Sequence, residues 1–219
     1  MGNPLICPAF MLHYAWKYLY KSGKLTVKVQ WMKYSDRNLQ FLIMAGGKGT
    51  RFGNAEKCMQ DINGKSILEN LIDSLKTLSD FISVSTTLLH RKTLELCRLK
   101  DVSVIITDGD NYINDLRSSI VSIGRVPLVV MGSDIYLTDL DQFRYMIKSL
   151  PDHAQPIIDL LQNNTFSGIS VFSRIPEKDE TMEYYEMNSE KNFSMNINTK
   201  EELGMLKLSI GKKTTGHFQ

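Results

Sequence analysis

Phe41-Leu-Ile-Met-Ala45 is an uninterrupted apolar run that passes straight into Gly46-Gly-Lys-Gly-Thr-Arg-Phe-Gly53, with Lys57 shortly after. Such a run suits a strand buried on both faces, and so places the glycine loop at the carboxyl end of a buried sheet. Glycines let a backbone press against a ligand and turn its N–H groups inward, a geometry that holds anions, above all phosphate. Turn chemistry alone explains the glycines. It does not explain why Lys48, Arg51 and Lys57 stand among them.

Two familiar phosphate motifs fail on spacing. Gly64-Lys65-Ser66 has the ending of a Walker A loop, but Met59 occupies its first glycine position. Counting a dinucleotide fingerprint from Gly47 and Gly49 puts Phe52 where the third glycine belongs. What remains is Ala-Gly-Gly-x-Gly-x-Arg-x-Gly followed by a lysine.

The 219 residues suffice for one substantial core. A net charge of +2 argues against nucleic acid or an anionic membrane as partner, since the basic character is local to the loop. Cys7, Cys58 and Cys97 are odd in number and widely spaced, so neither a disulfide framework nor a zinc site is indicated and a reducing cytoplasm fits. No apolar run approaches the roughly 20 residues of a membrane-spanning helix. His13, His90, His153 and His217 lack ligand spacing, and no Gly-x-Ser-x-Gly is present, which disfavours a nucleophilic hydrolase.

Downstream, short apolar runs alternate with helical periodicity. Asn63-Gly64 signals a turn and Ser66-x-x-Glu69 reads as a capping box opening a helix to about Ser79. Strands are expected at Phe81–Ser85, Val102–Ile106 and Val126–Met131, and helices at Leu88–Leu99 and Tyr112–Val121, the latter capped by Asn111. The alternation implies an α/β fold with a largely parallel sheet covered on both faces, where ligands gather at strand carboxyl ends. The glycine loop, Asp108 and Asp134 all follow such ends. Asp134 either holds a magnesium ion or opens the turn before the next helix, whose cap reads as Thr138.

Past Pro151 the pattern weakens: Pro156–Leu161 has no clear period, Gly168–Phe172 reads as a strand, and Pro176–Ser194 reads as loop. Thr199-x-x-Glu202 is a second capping box, opening a terminal helix stopped at Gly211 and followed by a tail over 212–219. Residues 1–40 form an extension of doubtful status. Met11, Leu12, Ala15, Trp16, Leu19 and Tyr20 have helical spacing; alternatively, translation starts at Met32. Apolar residues of this extension could supply a homodimer contact.

Ala45–Lys57, Val130–Asp134 and Asn196-Ile-Asn-Thr-Lys-Glu-Glu-Leu203 together resemble the molybdenum-cofactor guanylyltransferase type of nucleotidyltransferase. Asp108-Gly109 and Tyr112-Ile113-x-Asp115-Leu116 resemble its archaeal adenosylcobinamide-phosphate guanylyltransferases in particular. The likeness runs from about Leu42 to Leu208. It implies a Rossmann-like three-layer α/β/α sandwich over residues 41–211, GTP with Mg²⁺ as donor, and a phosphate on a corrinoid precursor as acceptor. By the same likeness Ala45, Gly46, Gly47, Lys48, Gly49 and Arg51 cradle the triphosphate, and Lys57 offsets charge on the α-phosphate. Asp134 holds the metal, and Asp108, Gly109 and Asp115 line the nucleotide pocket. Asn196 and Asn198 match the family's Asn-x-Asn-Thr turn, either touching substrate or tying the turn down. The chain departs in having Asn111 where a glycine is expected, and in a shorter interval between Asp139–Ser149 and Pro156, on the acceptor side. Three functions are compatible: transfer to a corrinoid phosphate, transfer to a molybdopterin, and nucleotide binding without catalysis.

Overall fold

The computed structural model describes residues 39–46, 56–150, 156–177 and 182–215, with side chains of the terminal helix described as far as residue 210. All of these lie within Lys33–Gln219. The proposed helix of the first forty residues, together with Gly47, Lys48, Gly49, Arg51 and the last four residues of the tail, falls outside the described residues.

The strand before the glycine loop, β1 (Gln40–Met44), is an interior strand of a seven-stranded sheet, with four strands on one side and two on the other. On one side it pairs in parallel with β4 (Ile82–Thr86), which pairs with β5 (Ser103–Ile106). The hairpin between β1 and β4 is made of β2 (Asp61–Ile62) and β3 (Lys65–Ser66), joined by Asn63-Gly64 at φ 53° and 91°. Such positive values are the requirement of a two-residue hairpin turn, so the Walker-like ending is a β-hairpin. On its other side β1 pairs in parallel with β6 (Leu128–Gly132). Beyond it lie β9 (Thr165–Phe172), β8 (Ile157–Gln162) and β10 (Tyr184–Ser189), of which only β9 runs antiparallel. The chain therefore leaves β1 toward β4 and later returns on its other flank at β6. The carboxyl end of β1 is the switch point where open α/β sheets bind ligands.

Both faces of β1 are buried, which is why its sequence is apolar without alternation. Phe41, Ile43 and Ala45 face the larger core, built from α1 (Ile67–Lys76), α2 (Arg91–Leu99) and α4 (Leu140–Lys148). Leu42 and Met44 face Ile120 and Leu116 of α3 (Tyr112–Ile123). Helix α1 buries Ile67, Leu68, Leu71, Ile72 and Leu75 as one stripe. Each such side chain contributes about 1.5–3 kcal/mol on transfer from water. A third cluster joins β2, β7 (Ile135–Leu137) and β11 (Ser194–Asn196) to α5 (Lys200–Thr215), through Ile62, Ile197, Leu203 and Leu206. No helix among the described residues is long and apolar enough to cross a membrane.

Several boundaries differ from expectation for identifiable reasons. Ser66 caps α1 by accepting from Glu69 N at 3.0 Å, but the Glu69 carboxylate turns to Lys100 at 2.9 Å instead of reaching back. Asp139, not Thr138, caps α4, accepting from Gln142 N at 2.9 Å. Strand β6 starts at Leu128 because Pro127 has no N–H to give the ladder. Helix α2 starts at Arg91, after a turn in which Leu88 and Leu89 are exposed. Pro156–Leu161 and Pro176–Ser194 are not featureless: they contain β8 and β10. Gly211 does not stop α5, which continues to Thr215.

Candidate functional site

Three parallel strands deliver their carboxyl ends to one place. Ala45 N donates to Ser85 O at 2.7 Å and Thr107 N to Thr86 O at 2.9 Å, so the exits of β1, β4 and β5 are locked together. The Ala45 carbonyl, at the exit of β1, lies 2.9 Å from His90 Nδ1 and accepts from Thr86 Oγ1 at 3.3 Å. His90 and Thr86 are both buried. They hold the Ala45 carbonyl at the exit of β1, a positioning role that the scattered histidines did not announce.

Gly109 shows why these exits need glycine. Its φ is +75°, and a Cβ there would meet Thr87 Cγ2 at 2.5 Å and the Gly46 carbonyl at 3.1 Å. Asp115, 8% exposed, sits behind this contact and accepts from Gly109 N at 3.4 Å. Its helix starts where Asn111 accepts from Ile113 N and Asn114 N, and Ser119 Oγ donates to the Asp115 carbonyl at 2.7 Å. Thr87 Oγ1 is buried with no hydrogen-bond partner among the described residues. Buried polar atoms are nearly always satisfied, so an orphan hydroxyl beside Gly46 and Gly109 marks a place where a bound molecule can supply the missing bond. Sequence reasoning missed Thr87; its position just past the end of β4 was the available signal.

The second group assembles around Asp134. Its turn is pinned by Ser133 N donating to Met44 O at 3.0 Å and Ile197 N donating to Asp134 O at 2.9 Å. A Cβ at residue 132 would lie 2.5 Å from Asp134 Oδ1, so Gly132 makes room for the carboxylate to fold back against the strand. Lys57 Nζ reaches Asp134 Oδ2 at 2.5 Å and Asn198 Oδ1 at 3.4 Å. Lys57 heads a single 3₁₀ turn, anchored by Glu56 Oε1 accepting from Thr93 N and Thr93 Oγ1. The Asn196–Thr199 turn is held by Glu202, whose Oε2 accepts from Asn198 N at 2.6 Å and Thr199 N at 2.8 Å while Thr199 Oγ1 caps Glu202 N. The turn is thus held by the expected capping box, and the Asn198 side chain faces Lys57.

A cleft of about 360 Å³ opens from Asp134 and Asn196 toward Tyr112, Asp159, Phe166 and Ser170. Burial, and after it the charge of Asp134, push the Tyr112 phenol above its ordinary value. Of the residues expected at the site, Ala45, Gly46, Gly109 and Asp115 form the first group and Lys57, Asp134, Asn196 and Asn198 the second. Asp108 is exposed on the loop that carries Gly109. Both groups border the carboxyl end of β1.

Among the described residues no cluster of three or more His, Cys, Asp or Glu could hold a metal. Asp134 and the side-chain oxygens of Asn196 and Asn198 are hard oxygen donors. One carboxylate plus substrate phosphates is how a divalent cation such as magnesium is commonly held, so the donor set fits such an ion only when a phosphorylated ligand shares it. The arrangement is suited to fixing a polyanion and neutralising charge on it.

Residues 41–175 match the model of the MobA-like NTP transferase domain. An adenosylcobinamide-phosphate guanylyltransferase from Methanocaldococcus jannaschii is 27% identical over 197 residues, covering 78% of this chain and 97% of that protein. A molybdenum cofactor guanylyltransferase from a Shewanella species is 21% identical, covering 77% of this chain and 95% of that protein. A cytidylyltransferase structure from Leptospira borgpetersenii superposes with a TM-score of 0.64 at 21% identity, over 80% of this chain and 87% of the other. With more than half of its length matched, the chain belongs to the MobA-like NTP transferase family, and it is a nucleotidyltransferase.

Proposed function

We propose that the protein transfers GMP from GTP to the phosphate of adenosylcobinamide phosphate, releasing pyrophosphate, in the cytoplasm and with Mg²⁺ as its divalent ion. The observation that carries the reading is the meeting of Lys57 and Asp134 at 2.5 Å, with Asp134 also on the wall of an open cleft. The likeness to the Methanocaldococcus enzyme over nearly its full length supports the corrinoid acceptor, as does the Tyr112–Leu116 stretch.

An acceptor phosphate oxygen attacks the α-phosphorus of GTP, the bond to the β-phosphate breaks, and pyrophosphate leaves as the new phosphoanhydride forms. The attacking oxygen is already anionic, so no general base is required. Catalysis is alignment and charge stabilisation. In the Ala45–Gly49 segment the backbone N–H groups past Ala45, with Lys48 and Arg51, hold the triphosphate; Lys57 offsets charge at the α-phosphate. Asp108, Gly109 and Asp115 line the nucleoside pocket, and Thr87 Oγ1 joins them. Asp134, with Asn196 and Asn198 beside it, would hold Mg²⁺, which when bound neutralises charge developing on the leaving pyrophosphate.

Molybdopterin is the second acceptor to consider, because the Shewanella relative named for it aligns over a similar span. Purified protein incubated with labelled GTP, Mg²⁺ and each acceptor in turn tests both. Guanylylated corrinoid with stoichiometric pyrophosphate is the expected outcome. Product with molybdopterin alone reassigns the acceptor, and nucleotide binding without pyrophosphate from either overturns the transferase reading.

A further inference from the structure

One cross-strand row on the α3 face of the sheet runs Leu42, Val130, Ser170, Asp159. The first two are buried in the core beneath α3. Val130 also borders the cleft, and the partly buried Ser170 and Asp159 continue its lining, with Asp134 on its wall and the half-exposed rings of Tyr112 and Phe166 beside them. A carboxylate in mid-strand, in a row that begins apolar, is costly unless something hydrogen-bonds to it. Its partner among the described residues is Ser170 Oγ, donating to Asp159 Oδ1 at 2.5 Å. One hydroxyl proton occupies one of the roughly four lone-pair positions of a carboxylate. Accepting capacity is therefore left over at the cleft.

The charges in the cleft also impose a direction. Lys57, bound to Asp134 at the cleft wall, attracts phosphate and the Asp159 carboxylate does not, so a phosphate-bearing acceptor enters with its phosphate toward Lys57 and its body over Asp159. Only a body that carries a hydrogen-bond donor gains from that placement. We infer that Asp159, positioned by Ser170, selects the acceptor by taking a hydrogen bond from an N–H or O–H group on the acceptor's body. This inference rests on the phosphate-acceptor reading above and adds to it the chemical class of the acceptor: a phosphate monoester bearing a donor away from its phosphate.

The test uses two matched acceptors, an N-acetylaminoalkyl phosphate, which has an amide N–H, and the alkyl phosphate of equal length, which has none. Pyrophosphate release at saturating GTP and Mg²⁺ gives KM for each with wild type and Asp159→Ala, and calorimetry gives their Kd. Loss of one hydrogen bond to a charged group corresponds to about 10- to 100-fold. KM and Kd for the amide-bearing phosphate are expected to rise by that factor in the variant, while the alkyl phosphate and the KM of GTP do not move. Equal changes for the two phosphates, or a parallel change in the KM of GTP, overturn the role of Asp159 and leave the transfer reaction standing. Should wild type release no pyrophosphate with these or with a corrinoid phosphate, the transfer reading fails separately. Calorimetry then decides Asp159 alone: amide-selective binding lost in the variant upholds it, and absence of that selectivity removes it.

Discussion

The two flanks of β1 are built differently. Toward β4 and β5, each strand is followed by a helix, the exits are cross-bonded, and one buried aspartate and one buried hydroxyl sit beside Gly46 and Gly109. Toward β9, β8 and β10, strands follow one another with β9 reversed, and a cleft with a carboxylate on its floor lies against the sheet. On the function proposed above, the first flank would frame the donor and the second would carry the side chains that meet the acceptor, so the two chemistries would fall on separate halves of one sheet.

The comparison breaks most readily where the halves meet. Asp134→Ala is expected to abolish turnover that depends on the divalent ion; an unchanged Mg²⁺ titration would remove Asp134 from the site. Lys57→Ala is expected to lower kcat by about 10²–10³, the usual loss on removing a preorganised charge. Near-normal pyrophosphate release would refute its role. Within the donor flank, Gly109→Ala should weaken GTP binding while leaving acceptor affinity untouched, since the new Cβ overlaps Thr87 and the Gly46 carbonyl. Strain of this kind costs about 1–3 kcal/mol, read as a lowered Tm and a raised Kd for GTP.

The smallest effect lies away from both halves. Burial pushes the Asp73 carboxyl up, but hydrogen bonds from Lys100 and Lys65 outweigh it and hold the group below its ordinary value. A depressed carboxylate stabilises the fold above its unfolded value and loses that contribution as pH falls through the folded one. Asp73→Asn should therefore cost about 0.2–1 kcal/mol at neutral pH, vanish as a difference in strong acid, and leave kcat unchanged. A difference that grows on acidification would contradict the assignment.

The donor flank was legible because its signals are local. Ser66 and Asn111 cap the helices they precede, α1 shows its apolar stripe, and the ends of β1, β5 and β6 coincide with chemistry-bearing loops. The acceptor flank was not, for physical reasons. Strand β8 buries Ile158, Leu160 and Leu161 and leaves Ile157, Asp159 and Gln162 partly buried, and Asp159 interrupts its apolar run without giving it a clear period. Edge strand β10, Tyr-Tyr-Glu-Met-Asn-Ser, is mostly exposed and polar, and is a strand only through its pairing with β8. Likewise the meeting of Lys57 with Asn198, 141 positions apart, depends on β11 pairing with β7. Non-local pairing leaves no mark in a window of sequence.

The most direct measurement of the account is a crystal structure of the protein with a non-hydrolysable GTP analogue and Mg²⁺. The triphosphate should lie along the Ala45–Lys57 segment with Asp134 coordinating the ion, the guanosine over Gly109 and Asp115, and the Asp159 end of the cleft left clear. Phosphates bound at any other strand edge, or a nucleotide filling the cleft around Asp159, would contradict it.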